Sequence, residues 1–145
     1  MLLQLCSLCG FLAMAGGFIP LFASGNLLSL NPIVVLAQTL ALALALWARR
    51  SLGLRSFHLT AEPTEGHLVT TGPYRIIRHP IYAATCLFIW PGALAHHSLL
   101  AFTLATVVTV GALTRMLCEE TILMKHYPEY TLYANATNRM IPSVF

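Results

Sequence analysis

The chain has 145 residues, 57% of them hydrophobic and 9% charged, with a mean hydropathy of +0.74. A soluble domain carries about 25% charged residues, so this composition excludes most soluble enzymes and disordered regulators. The eight Lys and Arg against five Asp and Glu leave +3, too mild a balance for a nucleic-acid binder. It points to a single integral membrane domain over residues 1–145.

Residues 1–48 contain no Asp, Glu, Lys or Arg, and neither do residues 79–114. A charge at the bilayer centre costs at least ~2.5 kcal/mol, so these two blocks are the natural spanning material. A helix needs roughly 20 residues to cross ~30 Å of hydrocarbon. The first block therefore holds two generic spanning helices, expected at 2–23 and 32–48, parted by the turn signals Ser24-Gly25-Asn26 and Asn31-Pro32. No basic residue precedes the apolar start, which argues against a cleavable signal peptide. Ala41 to Leu46 alternates in a way that also suits a strand, but a lone strand would leave backbone groups unpaired in lipid.

The second block opens on Pro80, which suits a first helical turn. Pro91-Gly92 and His96-His97-Ser98 interrupt it. A helix over 80–95 would be short for a full crossing, whereas 98–126 is long enough and runs out into an amphipathic tail. The expected fold is all-α and polytopic, with about four transmembrane helices. Four crossings put both charged blocks, 49–78 and 115–139, on one side. Arg49, Arg50, Arg55, Arg75 and Arg78 share one loop, and Arg115, Lys125 and Arg139 follow the last crossing, so that side is expected to be the cytoplasm. Cys6, Cys9, Cys86 and Cys118 lie mostly in predicted helices. Cys6-x-x-Cys9 lacks a second ligand pair, so free apolar thiols and no metal site are expected.

The polar chemistry falls in the two charged blocks. In the run Gly72-Pro73-Tyr74-Arg75-Ile-Ile-Arg78-His79-Pro80-Ile-Tyr82, Pro80 forces His79 out of the helical region. His79 then sits at a helix mouth whose first N–H groups can receive an anion. On composition alone a juxtamembrane anchor, with Arg at lipid phosphates and Tyr in the interfacial belt, is the plainer reading of these residues, because such anchors are common at helix ends. In Arg115-Met-Leu-Cys-Glu119-Glu120, Arg115 and Glu119 stand four apart on one helix face and can pair. Glu120 is turned ~100° away and needs another partner. His126-Tyr127-Pro128-Glu129-Tyr130, Tyr133 and Arg139-x-Ile-Pro142 add aromatic and basic groups able to close over a ligand.

In this order, the Gly72-Pro73-Tyr74-Arg75, Arg78-His79-Pro80-x-Tyr82, Glu119-Glu120, Pro128-Glu129-Tyr130 and Arg139-x-Ile-Pro142 elements resemble the isoprenylcysteine carboxyl methyltransferase family and the related phospholipid methyltransferases. The resemblance covers about residues 66–143. It implies a membrane enzyme using S-adenosylmethionine, with a cofactor site in the cytoplasmic C-terminal half and a lipophilic or lipidated acceptor. Carried over to this sequence, Tyr74, His79, Tyr82, Glu119 and Glu120 would line the cofactor site, and Arg115 and Glu120 would be catalytic. Two departures stand out: Ala84 where the family often has Gly, and Tyr127-Pro128 in place of Phe-Gly. A phospholipid ethanolamine N-methyltransferase, a small-thiol methyltransferase, an NADPH-dependent membrane reductase and a non-enzymatic membrane protein stay open as alternatives.

Overall fold

The computed structural model describes residues 2–53 and 68–145. Arg55 and the first residues of the 66–143 region lie outside them. The described residues are all-helical: α1 (Leu2–Ala23), α2 (Pro32–Leu52), a 3-10 turn (Gly72–Arg75), α3 (Pro80–His96), α4 (Leu99–His126) and α5 (Tyr130–Ala136). Among them α1, α2 and α4 are long and apolar enough to cross a membrane. At 17 residues α3 would reach ~25 Å, the shortfall that its sequence foretold.

The helix ends follow local chemistry. Asn31 Oδ1 accepts from the Ile33 N–H at 2.9 Å ahead of Pro32, and Ser98 accepts from the Ala101 N–H at the start of α4. α2 continues past residue 48 to Leu52, because Arg49 and Arg50 in its last turn complement the helix dipole rather than end the helix. α3 also runs unbroken through Pro91. Near that point the buried Gln38 side chain donates to the Leu27 carbonyl at 2.8 Å and the Phe88 carbonyl at 3.2 Å, tying α2, the 24–31 loop and α3 together.

α1 packs along α4, α4 against α3, and α3 against α2. Gly10 and Gly111 let α1 and α4 meet backbone to backbone: a Cβ on Gly111 would stand 2.6 Å from the Gly10 carbonyl. Gly92 does the same where α3 meets the 24–31 loop, since a methyl there would overlap the Leu27 carbonyl. Leu21, Leu27, Ile89, Ala93, Ala101, Ala105 and Val108 form the core at that end. The outer helix faces carry exposed apolar side chains such as Leu36, Leu40, Leu46 and Val110, the surface a bilayer would cover.

At the opposite end a second cluster of Tyr82, Ala112, Met116 and Met140 forms the floor beneath the charged residues. Met140 belongs to a C-terminal strap laid across the segment before α3. The Arg78 N–H donates to the Asn138 carbonyl at 2.8 Å and the His79 N–H to the Arg139 carbonyl at 2.9 Å. These bonds accompany the parallel bridge between Ile77 and Asn138. The strap brings residues from the far end of the sequence onto the Arg78-His79-Pro80 turn.

Candidate functional site

Glu120, on the inner face of α4, has a side chain only 4% exposed, and three donors converge on its carboxylate. Arg78 Nε reaches Oε1 at 2.9 Å, His79 Nε2 lies 3.3 Å from the same oxygen, and Arg139 Nε reaches Oε2 at 3.0 Å. Arg78 is itself held from behind, its Nη1 donating to the Ala134 carbonyl at 2.7 Å and to the Thr137 carbonyl. Such charge-assisted bonds are about twice as strong as neutral ones, and they lock α3, α4, α5 and the strap around one anion.

Glu119 forms the adjoining half of the network. Arg115 Nε donates to Glu119 Oε1 at 3.0 Å, the i,i+4 pair expected from the spacing, and to the Tyr82 hydroxyl oxygen at 2.8 Å. The Tyr82 hydroxyl in turn donates a hydrogen bond to Glu119 Oε1 at 2.7 Å. The other Glu119 oxygen lies 4.0 Å from His79 Nδ1, and the side chain is 24% exposed, more open than Glu120. The His79 and Tyr82 rings stack with centroids 5.8 Å apart. Arg115 lies over the Phe11 ring at 5.4 Å, so α1 also touches the network.

Tyr74 is buried beside this group. Its carbonyl accepts from the Tyr133 hydroxyl at 2.7 Å, and burial, with the Glu119 charge adding to it, pushes its phenol up to about 12. All six residues singled out in the sequence, Tyr74, His79, Tyr82, Arg115, Glu119 and Glu120, therefore stand in one neighbourhood. Arg78 and Arg139, which the sequence marks only as motif residues, prove to be the partners that Glu120 required. Arg75 by contrast is exposed. The two glutamates point to different partners because successive helix positions differ by ~100°.

A groove of about 450 Å³ opens beside the network, lined by apolar side chains of α2 (Leu44, Trp47), the Pro73–Ile77 segment, α3 (Ala83, Cys86, Leu87) and the strap. Its size is within the ~300–1,000 Å³ range of ligand sites. Three of its wall residues, Ile77, Ala83 and Met140, are chain neighbours of Arg78, Tyr82 and Arg139. An apolar cleft and a charged cluster thus share a border. Among the described residues no group of three or more His, Cys, Asp or Glu is placed to hold a metal ion.

Comparison with known proteins matches residues 31–130 to the model of the phospholipid methyltransferase family. The chain belongs to that family. The match begins at Asn31, the N-cap of α2, and ends at Tyr130, the first residue of α5. Enzymes of the phospholipid methyltransferase family use S-adenosylmethionine. The chain is also 33% identical over 76 residues to the nickel-cobalt-cadmium resistance protein NccN of Alcaligenes xylosoxydans xylosoxydans. That alignment takes in 52% of this chain and 36% of the length of NccN. No solved structure matches the chain.

Proposed function

We propose that this protein is an integral membrane S-adenosylmethionine-dependent methyltransferase that methylates a lipophilic acceptor, most like an isoprenylcysteine carboxyl methyltransferase. The observation that carries the reading is the shared border between the buried Arg78–His79–Glu120–Arg139 network and the apolar groove. A polar head and a greasy tail on one substrate need that combination.

The donor set fits the cofactor. S-adenosylmethionine, when bound, supplies an electrophilic methyl on a sulfonium, next to an ammonium and a carboxylate. Glu119 and the stacked His79 and Tyr82 rings suit the cationic groups, and the arginine-rich side at Arg78 and Arg139 suits the carboxylate. Tyr74 backs this wall from the 3-10 turn.

Methyl transfer is an in-line displacement, so positioning can supply much of the acceleration. A carboxylate acceptor is already ionised at neutral pH and needs an orienting cation. Arg115 is that cation in this reading, with its planar guanidinium already held by Tyr82 and Glu119. Glu120, with donors on both oxygens, serves to hold Arg78, His79 and Arg139 in place. If the acceptor is an amine, the more open Glu119 is the better proton acceptor. The one-sided placement of the charged residues and the positive-inside tendency support a site facing the cytoplasm.

The family match itself favours a second reading, N-methylation of an ethanolamine phospholipid head group. One experiment separates the two. Purified protein in detergent is tested for S-adenosylmethionine binding, then given labelled methyl donor with an S-prenyl cysteine, an ethanolamine phospholipid or a long-chain thiol. Label in the prenyl cysteine as a base-labile ester supports the first reading, and label in the phospholipid supports the second. Absence of cofactor binding refutes both.

A further inference from the structure

The Tyr130 side chain is one feature that this mechanism does not use. Tyr130 is 1% exposed, among the most buried large residues of the chain. Its hydroxyl donates to no group among the described residues. The Arg78 guanidinium faces its oxygen as a hydrogen-bond donor and can only donate, so the phenol proton has no acceptor. Glu120 and Glu119 lie within electrostatic reach but are committed to other donors. The ring is fixed edge-on against Tyr133, with centroids 5.8 Å apart. Burial raises the phenol pKa, so the group stays an O–H donor across the physiological range. A buried polar group without a partner is costly and rare in folded proteins, and a ligand can complete it.

The surrounding charge says what kind of ligand group. The network holds the guanidinium groups of Arg78, Arg115 and Arg139 against the carboxylates of Glu119 and Glu120, so these five side chains carry a surplus of positive charge. An entering anion would balance it, and a planar carboxylate suits both a guanidinium edge and a phenol O–H.

We propose that the Tyr130 hydroxyl is a ligand-binding donor that, together with Arg78, receives a carboxylate of the bound ligand. This inference rests on the methyltransferase reading. Two carboxylates are available there: the one on S-adenosylmethionine and the one on an S-prenyl cysteine. Tyr130 is then a binding residue rather than part of the packing that holds α5.

The test uses full-length protein in detergent and the Tyr130→Phe variant, which removes only the hydroxyl. Equilibrium binding is measured for S-adenosylmethionine and for its decarboxylated analogue, and for an S-prenyl cysteine and its methyl ester. The variant should bind one of the two carboxylates about tenfold more weakly, as expected for losing a bond to a charged group. Its affinity for the matching carboxylate-free compound should stay within twofold of wild type. Selective loss in the first pair assigns the carboxylate to the cofactor, and selective loss in the second assigns it to the acceptor. The melting temperature of the unliganded variant should equal or exceed that of wild type. Equal losses within both pairs, or no loss in either, overturn the assignment. So does a melting temperature several degrees lower, because the phenol proton would then have an acceptor inside the fold. Wild-type protein that binds neither S-adenosylmethionine nor its analogue would remove the methyltransferase reading and this inference together. Wild-type binding with an indifferent variant removes only the role of Tyr130.

Discussion

Glu120→Gln isolates the anion around which four segments close. An amide has one carbonyl and one NH2, so one side of the new residue must turn a donor toward a donor. The cheaper orientation keeps the carbonyl on buried Arg78 and turns the NH2 to Arg139, whose side chain is 36% exposed and can swing into water. On the Arg78 side a charge-assisted bond becomes a neutral one, costing ~1–1.5 kcal/mol. The Arg139 pair is discounted for exposure to at most ~1 kcal/mol. The desolvated Arg78 keeps its carbonyl partners on Ala134 and Thr137, which holds the total at ~1.5–2.5 kcal/mol rather than the ~3–5 of a fully orphaned buried charge. Glu119→Gln, on a side chain 24% exposed, should cost about 1 kcal/mol. Reversible unfolding in mixed micelles, titrated with denaturing detergent, measures both variants. Equal stability of Glu120→Gln and wild type within ~0.5 kcal/mol, or a larger loss from Glu119→Gln, would refute the claim that Glu120 organises the site.

Four further outcomes are expected. Gly92→Ala should lower stability by ~1–3 kcal/mol in a detergent melt, because its methyl overlaps the Leu27 carbonyl and the 24–31 loop must move; a wild-type melt would mean that the loop does not press on α3. Leu87→Trp, on the half-open wall of the groove, should raise the KM for a lipophilic acceptor about tenfold while leaving S-adenosylmethionine affinity unchanged; unchanged KM would move the acceptor elsewhere. A cysteine at Ser98, at the turn between α3 and α4, should react with an impermeant reagent in intact cells, whereas one at Arg75 should not; the reverse pattern would invert the topology. Tyr74, raised to about 12 in the fold, keeps its proton above the ordinary tyrosine pKa of about 10 while the unfolded chain loses it. Stability should therefore fall as pH rises across that window. Tyrosinate absorbance measured alongside unfolding checks this, and Tyr74 ionising near 10 in folded protein would contradict it.

The sequence by itself determined the helical frame. Excluding charge from lipid is a cost borne residue by residue, so the clean blocks 1–48 and 79–114 had to be spanning material. The Arg115–Glu119 pair was legible for a similar reason, since i,i+4 spacing fixes a shared face wherever the helix ends up. The reach of α2 to Leu52 was not legible, because the first charges mark the edge of the spanning block while Arg49 and Arg50 favour the helix end that carries them. The partners of Glu120 were also hidden. Spacing showed that it needed one, but Arg78 comes from the turn before α3 and Arg139 from the strap, and only chain closure brings them together. The same closure makes the groove from α2, α3 and residues 140–142, and it buries the Tyr130 hydroxyl beside Arg78. Local cost wrote the helices into the sequence; the charged site exists only where distant segments exclude water from the same few carboxylate oxygens.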